Sequence, residues 1–325
     1  MGESHPTRPG VVRMLAPPRI TTPVTPARSS APLPGEPDPL SEPIFQNAVV
    51  IGVGLIGGSI AKALRERGVA RSVTGLVRSE RAASRAVASG AVEKAVTEQV
   101  EGADLVIACT PVETIPGLLA EAAKHAAPDC LLTDAGSTKG RLVEQAESQL
   151  PEGSRFVGSH PLAGDHQTGP EHSRGDLFQG ATTVVTPTPS TMPEAVEAAR
   201  ALWESLGSTV VSMAPERHDE VVAMTSHVPH VAAAAVAATT PADALPLAAT
   251  GWADTTRVAA GSESLWREIL LANRTAVREG ISGLIEELTS YRDALEAADS
   301  DRLEKLLQTG RERREQHGRQ DALGS

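Results

Sequence analysis

His160 is the residue of this sequence best suited to acid–base chemistry. It stands in the stretch GSHPLAG (158–164), where glycines surround the end of a predicted strand. A neutral imidazole with a pKa of about 6.5 can accept a proton at working pH. Functional groups concentrate in loops at strand ends, so this position favours a catalytic base over a histidine satisfied within the core.

Two further stretches carry hydroxyl and imidazole groups. DAGSTKG (134–140) places Ser137 at the carboxyl end of a predicted strand, which is where ligands bind in doubly wound folds. SHVPH (226–230) adds Ser226 and His230 at the beginning of the second half of the chain. These positions predict a ligand site that contains several polar side chains.

Metal binding is an alternative use of the histidines. His227 and His230 could act as ligands together with His160 or His166. No cysteine or glutamate completes a usual ligand spacing, so the sequence predicts that the site holds no metal.

The pattern GVGLIG (52–57) predicts a phosphate-binding turn. A GxGxxG pattern alone is weak evidence, but this one leaves an apolar predicted strand and opens a predicted helix. In that context Gly52 permits a tight turn, Gly54 lets the backbone approach a pyrophosphate, and Gly57 lets the helix pack close to the strand. The helix N-terminus then offers free N–H groups to the anion, whereas the alternative is a glycine-rich turn without a ligand. The residues predicted to bind the dinucleotide are Gly52, Gly54, Leu55, Ile56, Gly57, Arg78, Thr110 and Ser137.

The end of the second predicted strand should distinguish the two nicotinamide dinucleotides. An Asp or Glu there would bind the ribose 2′-hydroxyl and repel a 2′-phosphate. Here the sequence reads GLVRS (75–79), which contains no acid and places Arg78 and Ser79 where a phosphate would lie. The sequence therefore predicts NAD or NADP with a preference for NADP. The alternative is that Arg78 is a solvated surface residue.

Strands and helices alternate through residues 45–213, a pattern that predicts a Rossmann-type, doubly wound parallel sheet. The predicted strands are 48–54, 72–77, 104–110, 130–136, 155–161, 181–187 and 208–213. The predicted helices between them are 56–68, 80–89, 112–126, 139–150 and 195–206. Residues 214–325 contain no convincing strand and predict an all-α substrate and dimerisation domain. Its predicted helices are 215–238, 242–259, 264–278, 281–297 and 301–313.

Composition and charge argue against two classes of partner. The 325 residues include 30 Lys and Arg against 41 Asp and Glu, which gives a net charge of −11, and only 2 % are aromatic. An acidic chain with few stacking side chains is a poor partner for nucleic acid. The Ala-rich stretch after Val231 is broken by Pro241 and Pro246, so it predicts a buried helix and not a membrane span.

Residues 1–44 differ from the rest, because they hold eleven of the 24 prolines and have no helical or strand period. This composition predicts a disordered tail without a catalytic function. The chain has two cysteines, Cys109 and Cys130, and no secretory signal, which favours a cytoplasmic protein with buried thiols. Cys109 lies within an apolar predicted strand and is expected to be inert.

In combination, these motifs resemble those of the prephenate/arogenate dehydrogenase family of tyrosine biosynthesis. They are, in the family's order, GVGLIGGSIAKAL, DAGSTKG, GSHPLAG, DLFQG, SHVPH, and TTRVA followed by LWREI, and they extend from about Ala48 to at least Trp266. The resemblance implies that hydride passes from C4 of prephenate to a nicotinamide while the C4 hydroxyl is oxidised. The ring carboxylate then leaves as CO2, and 4-hydroxyphenylpyruvate remains.

The resemblance also implies roles for individual residues. His160 would act on the C4 hydroxyl, and Ser137 would bond to that histidine, to the hydroxyl and to the nicotinamide carboxamide. Arg257 would hold a carboxylate of the dianionic substrate, for which a planar guanidinium is well suited. The residues implied to line the substrate side are Ser226, His230 and Trp266, the last from a neighbouring subunit. The helical half would then be the interface of an interlocked homodimer.

The sequence departs from the family pattern at two places. Many members carry an acidic residue two places after GSHPLAG, where this chain has His166, which becomes a further substrate-binding candidate. The Asp–Pro pair common before the tryptophan is replaced by GSESL (261–265). Arogenate and 4-amino-4-deoxyprephenate therefore stay open as alternative substrates.

Two other functions stay open at this level. β-Hydroxyacid dehydrogenases and pyrroline-carboxylate reductases share the two-domain layout, but that layout does not predict GSHPLAG or SHVPH. A dinucleotide-sensing regulatory protein would keep the glycines without needing Ser137, His160 and Arg257 together.

Trp266 could be a core residue. Four further histidines are predicted to be solvated: His125, His172, His218 and His317.

Overall fold

The computed structural model describes Met1, residues 42–164 and residues 167–324, with side chains as far as residue 317. The predicted tail (1–44) falls almost entirely outside these residues, and so does His166. The described residues from 42 onward belong to one compact unit.

Six parallel strands form the main sheet, in the order β3-β2-β1-β4-β5-β6. The strands are β1 (Phe45–Ile51), β2 (Ala70–Leu76), β3 (Lys94–Val96), β4 (Leu105–Ala108), β5 (Leu131–Asp134) and β6 (Arg155–Phe156). The helices that connect them are α1 (Leu55–Glu66), α2 (Glu80–Ala88), α3 (Ile115–Ala123) and α4 (Gly140–Gln149). The strand order reverses between β1 and β4, the place where doubly wound sheets bind ligands. The Rossmann-type fold predicted from the sequence is confirmed.

The core lies on both sides of this sheet, as the alternation along β1 requires. Val50 packs on one side with Leu64 of α1, and Val49 packs on the other side with Leu119 of α3. Buried strands of this kind read as continuous apolar runs, which is why β1 and β4 were predictable. Strand β3 was missed because it has only three residues and begins with a lysine.

A second, smaller sheet carries His160. Its strands are β7 (Gly158–Pro161), β8 (Thr182–Thr186) and β9 (Thr209–Ser212), with β7 antiparallel to β8. Helix α5 (Pro193–Ser205) lies between the last two strands in the chain. The prediction of one strand over 155–161 is wrong, because the chain leaves the main sheet at Val157. Beyond that residue, the Ser159 amide donates to the Asp134 carboxylate instead of to a strand of the main sheet.

The second half of the chain is helical, as predicted. Its helices are α6 (Pro215–Val222), α7 (Val228–Thr239), α8 (Thr250–Thr256), α9 (Glu263–Ala272), α10 (Arg274–Glu296) and α11 (Ser300–Gly324). A π-helical turn, Ala223–His227, joins α6 to α7. The predicted break between 278 and 281 is wrong, since the break lies at Asn273, between the end of α9 and the beginning of α10. Gly280 stays helical, and it lets Val228 come so close that a β-carbon there would lie 2.7 Å from the valine Cγ2.

The predicted burial of the Ala-rich helix holds for only part of α7. Among the described residues, one helical segment, Pro215–Thr239, has the length and apolar composition needed to cross a membrane. A third of its most apolar stretch is buried. His227, His230 and Ala233 are buried, whereas Val236 is 41 % exposed in the single chain. The prediction of a buried helix therefore holds for one face of α7, whereas its other face is not covered by the described residues.

Candidate active site

The turn between β1 and α1 is shaped by two glycines. Gly52 has a φ of +88°, and a β-carbon there would lie 2.7 Å from Cγ2 of Thr110. A β-carbon on Gly57 would lie 2.1 Å from the Gly52 carbonyl oxygen, so only glycine lets the helix begin this close to the strand. Helix α1 has no side-chain N-cap, and its first amides are therefore available to an anion.

An elongated groove runs past this turn at the carboxyl ends of the strands. On one side of the turn is a mainly apolar cavity of about 470 Å³, and on the other is one of about 540 Å³. The residues common to both cavities are Gly54, Cys109, Thr110 and Pro111. Two cavities joined at a phosphate-binding turn match the two halves of a dinucleotide, so the residues present fit such a cofactor.

The two cavities differ in the groups that line them. The first includes Leu76, Val77 and Arg78 from the end of β2, together with Thr97 and Gln99. The second includes Ser137 from the loop after β5, and Ala163 and Gly164 from the loop after β7. It also includes Ser262, Leu265 and Glu268 of the helical half, which the sequence analysis did not single out as binding residues.

A buried ion pair holds the loop of Ser137 against the strand of His160. Asp134 and Lys139 are both fully buried and in contact. The same carboxylate accepts the Gly136 amide at 2.7 Å and the Ser159 amide at 3.0 Å. Burial lowers the pKa of Lys139, while the charge of Asp134 opposes that shift. This arrangement joins the loop that carries Ser137 to strand β7, which carries His160.

His160 is hydrogen-bonded to a second histidine that the sequence analysis misjudged. Its Nδ1 lies 2.8 Å from Nε2 of His218, whose Nδ1 lies 2.8 Å from the Asp219 carboxylate. His218 is fully buried, so the prediction that it is solvated is wrong. The residue lies in a polar stretch of α6, PERHDE, and its burial comes from packing of α6 against the first half of the chain.

Several neighbours keep His160 neutral. Burial lowers its pKa well below 6.5, and positive charge on His218, Lys139 and His227 would lower it further. His160 is therefore an unprotonated imidazole near neutral pH. That is the state in which it can accept a proton.

Aromatic contacts organise the substrate side predicted from SHVPH and LWREI. The ring of Trp266 stacks on His230 of its own chain at a centroid distance of 3.5 Å, and it meets His227 edge-on at 6.1 Å. Nδ1 of His230 is buried without a hydrogen-bond partner among the described residues. Burial lowers the pKa of His227 to about 4 and also lowers that of His230. Both imidazoles are thus neutral at pH 7.

The structure places the other predicted residues on exposed turns of the helical half. Ser226 is exposed on the π-helical turn, and Arg257 is exposed at the start of the 3-10 turn Arg257–Ala260. Within the described residues, Arg257 forms no ion pair or hydrogen bond. Gly261, four residues later, packs so closely on Trp266 and His230 that a β-carbon would clash with the indole. The arginine thus lies four residues before the glycine that contacts the stacked pair, and among the described residues it has no partner of its own.

Cys109 borders both cavities, at the end of β4. Burial and the charge of Asp134 raise its pKa, so the thiol stays protonated and unreactive. Within the described part of the chain, no group of three His, Cys, Asp or Glu is arranged to hold a metal ion.

Two family models match nearly all of the two halves. The model described as "Prephenate dehydrogenase, nucleotide-binding domain" matches residues 60–212, and "Prephenate dehydrogenase, dimerization domain" matches residues 214–309. A prephenate dehydrogenase of Bacillus subtilis is 34 % identical over 277 residues, which cover 82 % of this chain and 75 % of the relative.

Solved structures give the same result. The chain is similar to prephenate dehydrogenase from Aquifex aeolicus in complex with hydroxyphenyl propionate and NAD+, with a TM-score of 0.77 and 32 % identity over 86 % of this chain and 99 % of that one. It is also similar to Synechocystis arogenate dehydrogenase, with a TM-score of 0.73 and 30 % identity over 84 % and 100 % of the two chains.

Proposed function

This chain belongs to the prephenate dehydrogenase family, and we propose that the groove between the glycine turn and His160 is where it oxidises prephenate. The chain is an oxidoreductase that uses a nicotinamide dinucleotide. The observation that carries the assignment of the site is the neutral His160 on β7, the strand whose following residues Ala163 and Gly164 line the same cavity as Ser137 and the glycine turn. The cofactor, when bound, accepts hydride from C4 of the substrate.

The balance of the reaction defines what His160 must do. As C4 loses hydride, its hydroxyl becomes a carbonyl, and His160 Nε2 takes the hydroxyl proton. The bonding pair of the departing carboxylate then moves through the ring to the carbonyl oxygen, which becomes a phenol by recovering a proton. Prephenate dianion and oxidised cofactor thus give 4-hydroxyphenylpyruvate, CO2 and reduced cofactor with no net proton. His160 therefore acts first as base and then as acid.

The remaining residues orient the substrate. Ser137 bonds to the reacting hydroxyl and the nicotinamide amide from the loop after β5. Arg257 anchors a carboxylate, because it is an exposed cation without an ion pair among the described residues, on a turn that packs against the helix of His230 in an acidic chain. His230 offers the substrate its unpartnered Nδ1, and Ser226 and His166 complete the set of candidate substrate residues.

NADP is the cofactor that the end of β2 favours. A side cavity there is lined by Arg78, Ser79, Arg81 and Arg85. The strand end lacks the Asp or Glu that would bind a ribose 2′-hydroxyl and repel a 2′-phosphate. Arg85 pairs with Glu171, whereas Arg78 and Arg81 form no ion pair within the described residues. Two free guanidinium groups would bind a 2′-phosphate. We expect Arg78→Ala to lower kcat/KM for NADP far more than for NAD, while Arg71→Ala, at the opposite end of β2, should change neither.

Arogenate is the second candidate substrate. The Glu268 carboxylate borders the larger cavity and could pair with the ammonium group that distinguishes arogenate from prephenate. Steady-state kinetics with both substrates and both dinucleotides, followed by absorbance of the reduced cofactor, test the function. No reduction with either substrate would refute it. A Glu268→Gln variant that lowers kcat/KM for arogenate alone would support the second candidate.

We also propose that the chain works as a cytoplasmic homodimer through its helical half. The large core clusters lie in the first half of the chain, while many large apolar side chains of the helices are exposed. The exposed residues are Met224, Val236, Leu245, Leu247, Val258, Leu265, Leu271, Ile285, Leu288, Leu295 and Leu307. A second copy would cover this surface.

A further inference from the structure

A line of three hydrogen-bonded side chains leads from the groove into the helical half. It consists of His160 on β7 and of His218 and Asp219 on α6. We propose that His218 and Asp219 are positioning residues that fix the tautomer of His160, so that its Nε2 carries a lone pair toward the substrate hydroxyl. The proposal rests on His160 being the base of the reaction.

The direction of the hydrogen bonds follows from the Asp219 carboxylate. Its Oδ1 accepts the Lys139 amide at 2.8 Å, and its Oδ2 accepts the Gly140 amide at 2.8 Å. A carboxylate oxygen can only accept, so Nδ1 of a neutral His218 imidazole carries the hydrogen between the two groups. Nε2 of His218 is then an acceptor, and Nδ1 of His160 must donate to it. The proton-free nitrogen of His160 is consequently Nε2.

The same carboxylate couples this line to the loop that carries Ser137. Lys139 and Gly140 stand immediately before and at the start of α4, where a negative charge is favourable. Asp219 therefore fixes the end of the DAGSTKG loop and the orientation of His218 at once. His218 is fully buried and the side chain of Asp219 is 14 % exposed, so water competes little for these bonds.

The charged groups around the line act on the His160 imidazolium in opposite directions. Asp219 stabilises the imidazolium that forms when His160 takes the proton. Lys139, itself paired with Asp134, and His227 oppose that charge from the sides of α4 and the π-helical turn. The role parallels the carboxylate that orients the histidine of serine proteases, where loss of the correct tautomer costs roughly 10⁴ in kcat.

Two substitutions at one position separate orientation from packing. His218→Leu removes the acceptor of the His160 Nδ1–H, and we expect kcat to fall by about 10²- to 10³-fold with the KM for the dinucleotide little changed. His218→Gln retains an acceptor near the same place and should recover part of that loss. His125→Leu is the matched control. It breaks a histidine–carboxylate hydrogen bond of similar length, 2.7 Å to Glu101, at a residue that does not line the groove.

The tautomer can be read without turnover. Nitrogen-15 NMR of the histidine-labelled full chain distinguishes Nδ1–H from Nε2–H imidazole, and the His160 signals are assigned by their loss in His160→Asn. We expect the Nδ1–H form of His160 in the native chain and in His125→Leu, and a shift toward Nε2–H in His218→Leu.

The outcomes distinguish the positioning role of His218 from the proposed function. An unchanged His160 tautomer in folded His218→Leu, or equal kcat in the Leu and Gln variants, would overturn the positioning role. If the His160 tautomer changes in His218→Leu but the native chain reduces no cofactor with either substrate, the proposed function is refuted. The positioning of His160 by His218 would still stand.

Discussion

At the scale of single residues, the site depends on an imidazole that is kept neutral until it takes the substrate proton. His160 has this property because it is buried and because its neighbours are themselves positive or able to become so. Its hydrogen-bond partner His218 comes from α6, 58 residues further along the chain.

Substitution of His160 tests the base directly. We expect His160→Asn to lower kcat by about 10²- to 10⁴-fold, the usual contribution of a positioned general base. Binding of the dinucleotide, measured by fluorescence titration, should be unchanged because His160 does not line the cavity at the end of β2. His125→Asn serves as control. A kcat near the native value would remove His160 from its role.

The pH dependence of kcat/KM tests the protonation state. The active form of the free enzyme carries neutral His160, so activity falls as pH decreases through the pKa of that residue. Burial and the facing groups His218, Lys139 and His227 place that pKa well below 6.5. We therefore expect the acidic limb of the profile below pH 6.5. A limb above pH 7 that disappears in His160→Asn would contradict this environment.

At the scale of the elements, a buried charge pair holds the two catalytic loops together. Asp134 ends β5 and binds the amides of Gly136 and Ser159, while Lys139 neutralises it. A buried pair of this kind adds little net stability over an apolar replacement of both groups, but loss of one partner is costly.

Lys139→Met tests this linkage. It leaves the Asp134 carboxylate buried without its counter-ion, so we expect the free energy of unfolding in urea to fall by about 3–5 kcal/mol. We also expect kcat to fall, since the loops of Ser137 and His160 lose their common anchor. The control Lys124→Met breaks the exposed pair with Glu121 and should leave the unfolding curve nearly unchanged. Equal curves for the two variants would show that the pair does not support the loops.

At the scale of the whole molecule, the two halves differ in how they are stabilised. The sheet half has a core on both faces, whereas the helices of the second half expose an apolar stripe on α10 at Ile285, Leu288 and Leu295. These positions lie on one side of a helix with 3.6 residues per turn. Such a surface is favourable only when a partner covers it.

The stripe predicts the oligomeric state. Leu288→Glu places a charge in the proposed interface, and we expect light scattering after gel filtration to change from dimer to monomer. Val87→Glu, at an exposed apolar position of α2, is the matched control and should stay dimeric. A native chain that is monomeric at micromolar concentration would refute the dimer.

The buried histidines also make the fold sensitive to acid. Their pKa values are lowered in the folded state, to about 4 for His227, so between pH 6.5 and pH 4 the unfolded chain binds more protons. Stability is thus fully present above pH 6.5 and decreases as pH falls toward 4. Urea unfolding at pH 7.5, 6.5 and 5.5 should show this decrease, and His227→Asn should make it smaller. A stability independent of pH across this window would contradict the burial of these groups.

The sequence by itself determined the sheet half and the cofactor turn, because their causes are local. Apolar runs of strand length predict β1 and β4. Gly52 has a positive φ, and Gly57 is required by the carbonyl of Gly52, which lies only five residues earlier. The combination of six motifs in the family's order likewise identified the family.

Only the tertiary structure decided which groups surround the base and where the strands change sheets. His218 meets His160 across 58 residues of chain, and nothing in the polar stretch around it indicates burial. The break at Val157 depends on Asp134 capturing an amide of the next strand, and Glu268 reaches the cavity only because α9 packs beside it. Such contacts arise from the packing of distant segments, whereas periodicity and motifs report on the local chain.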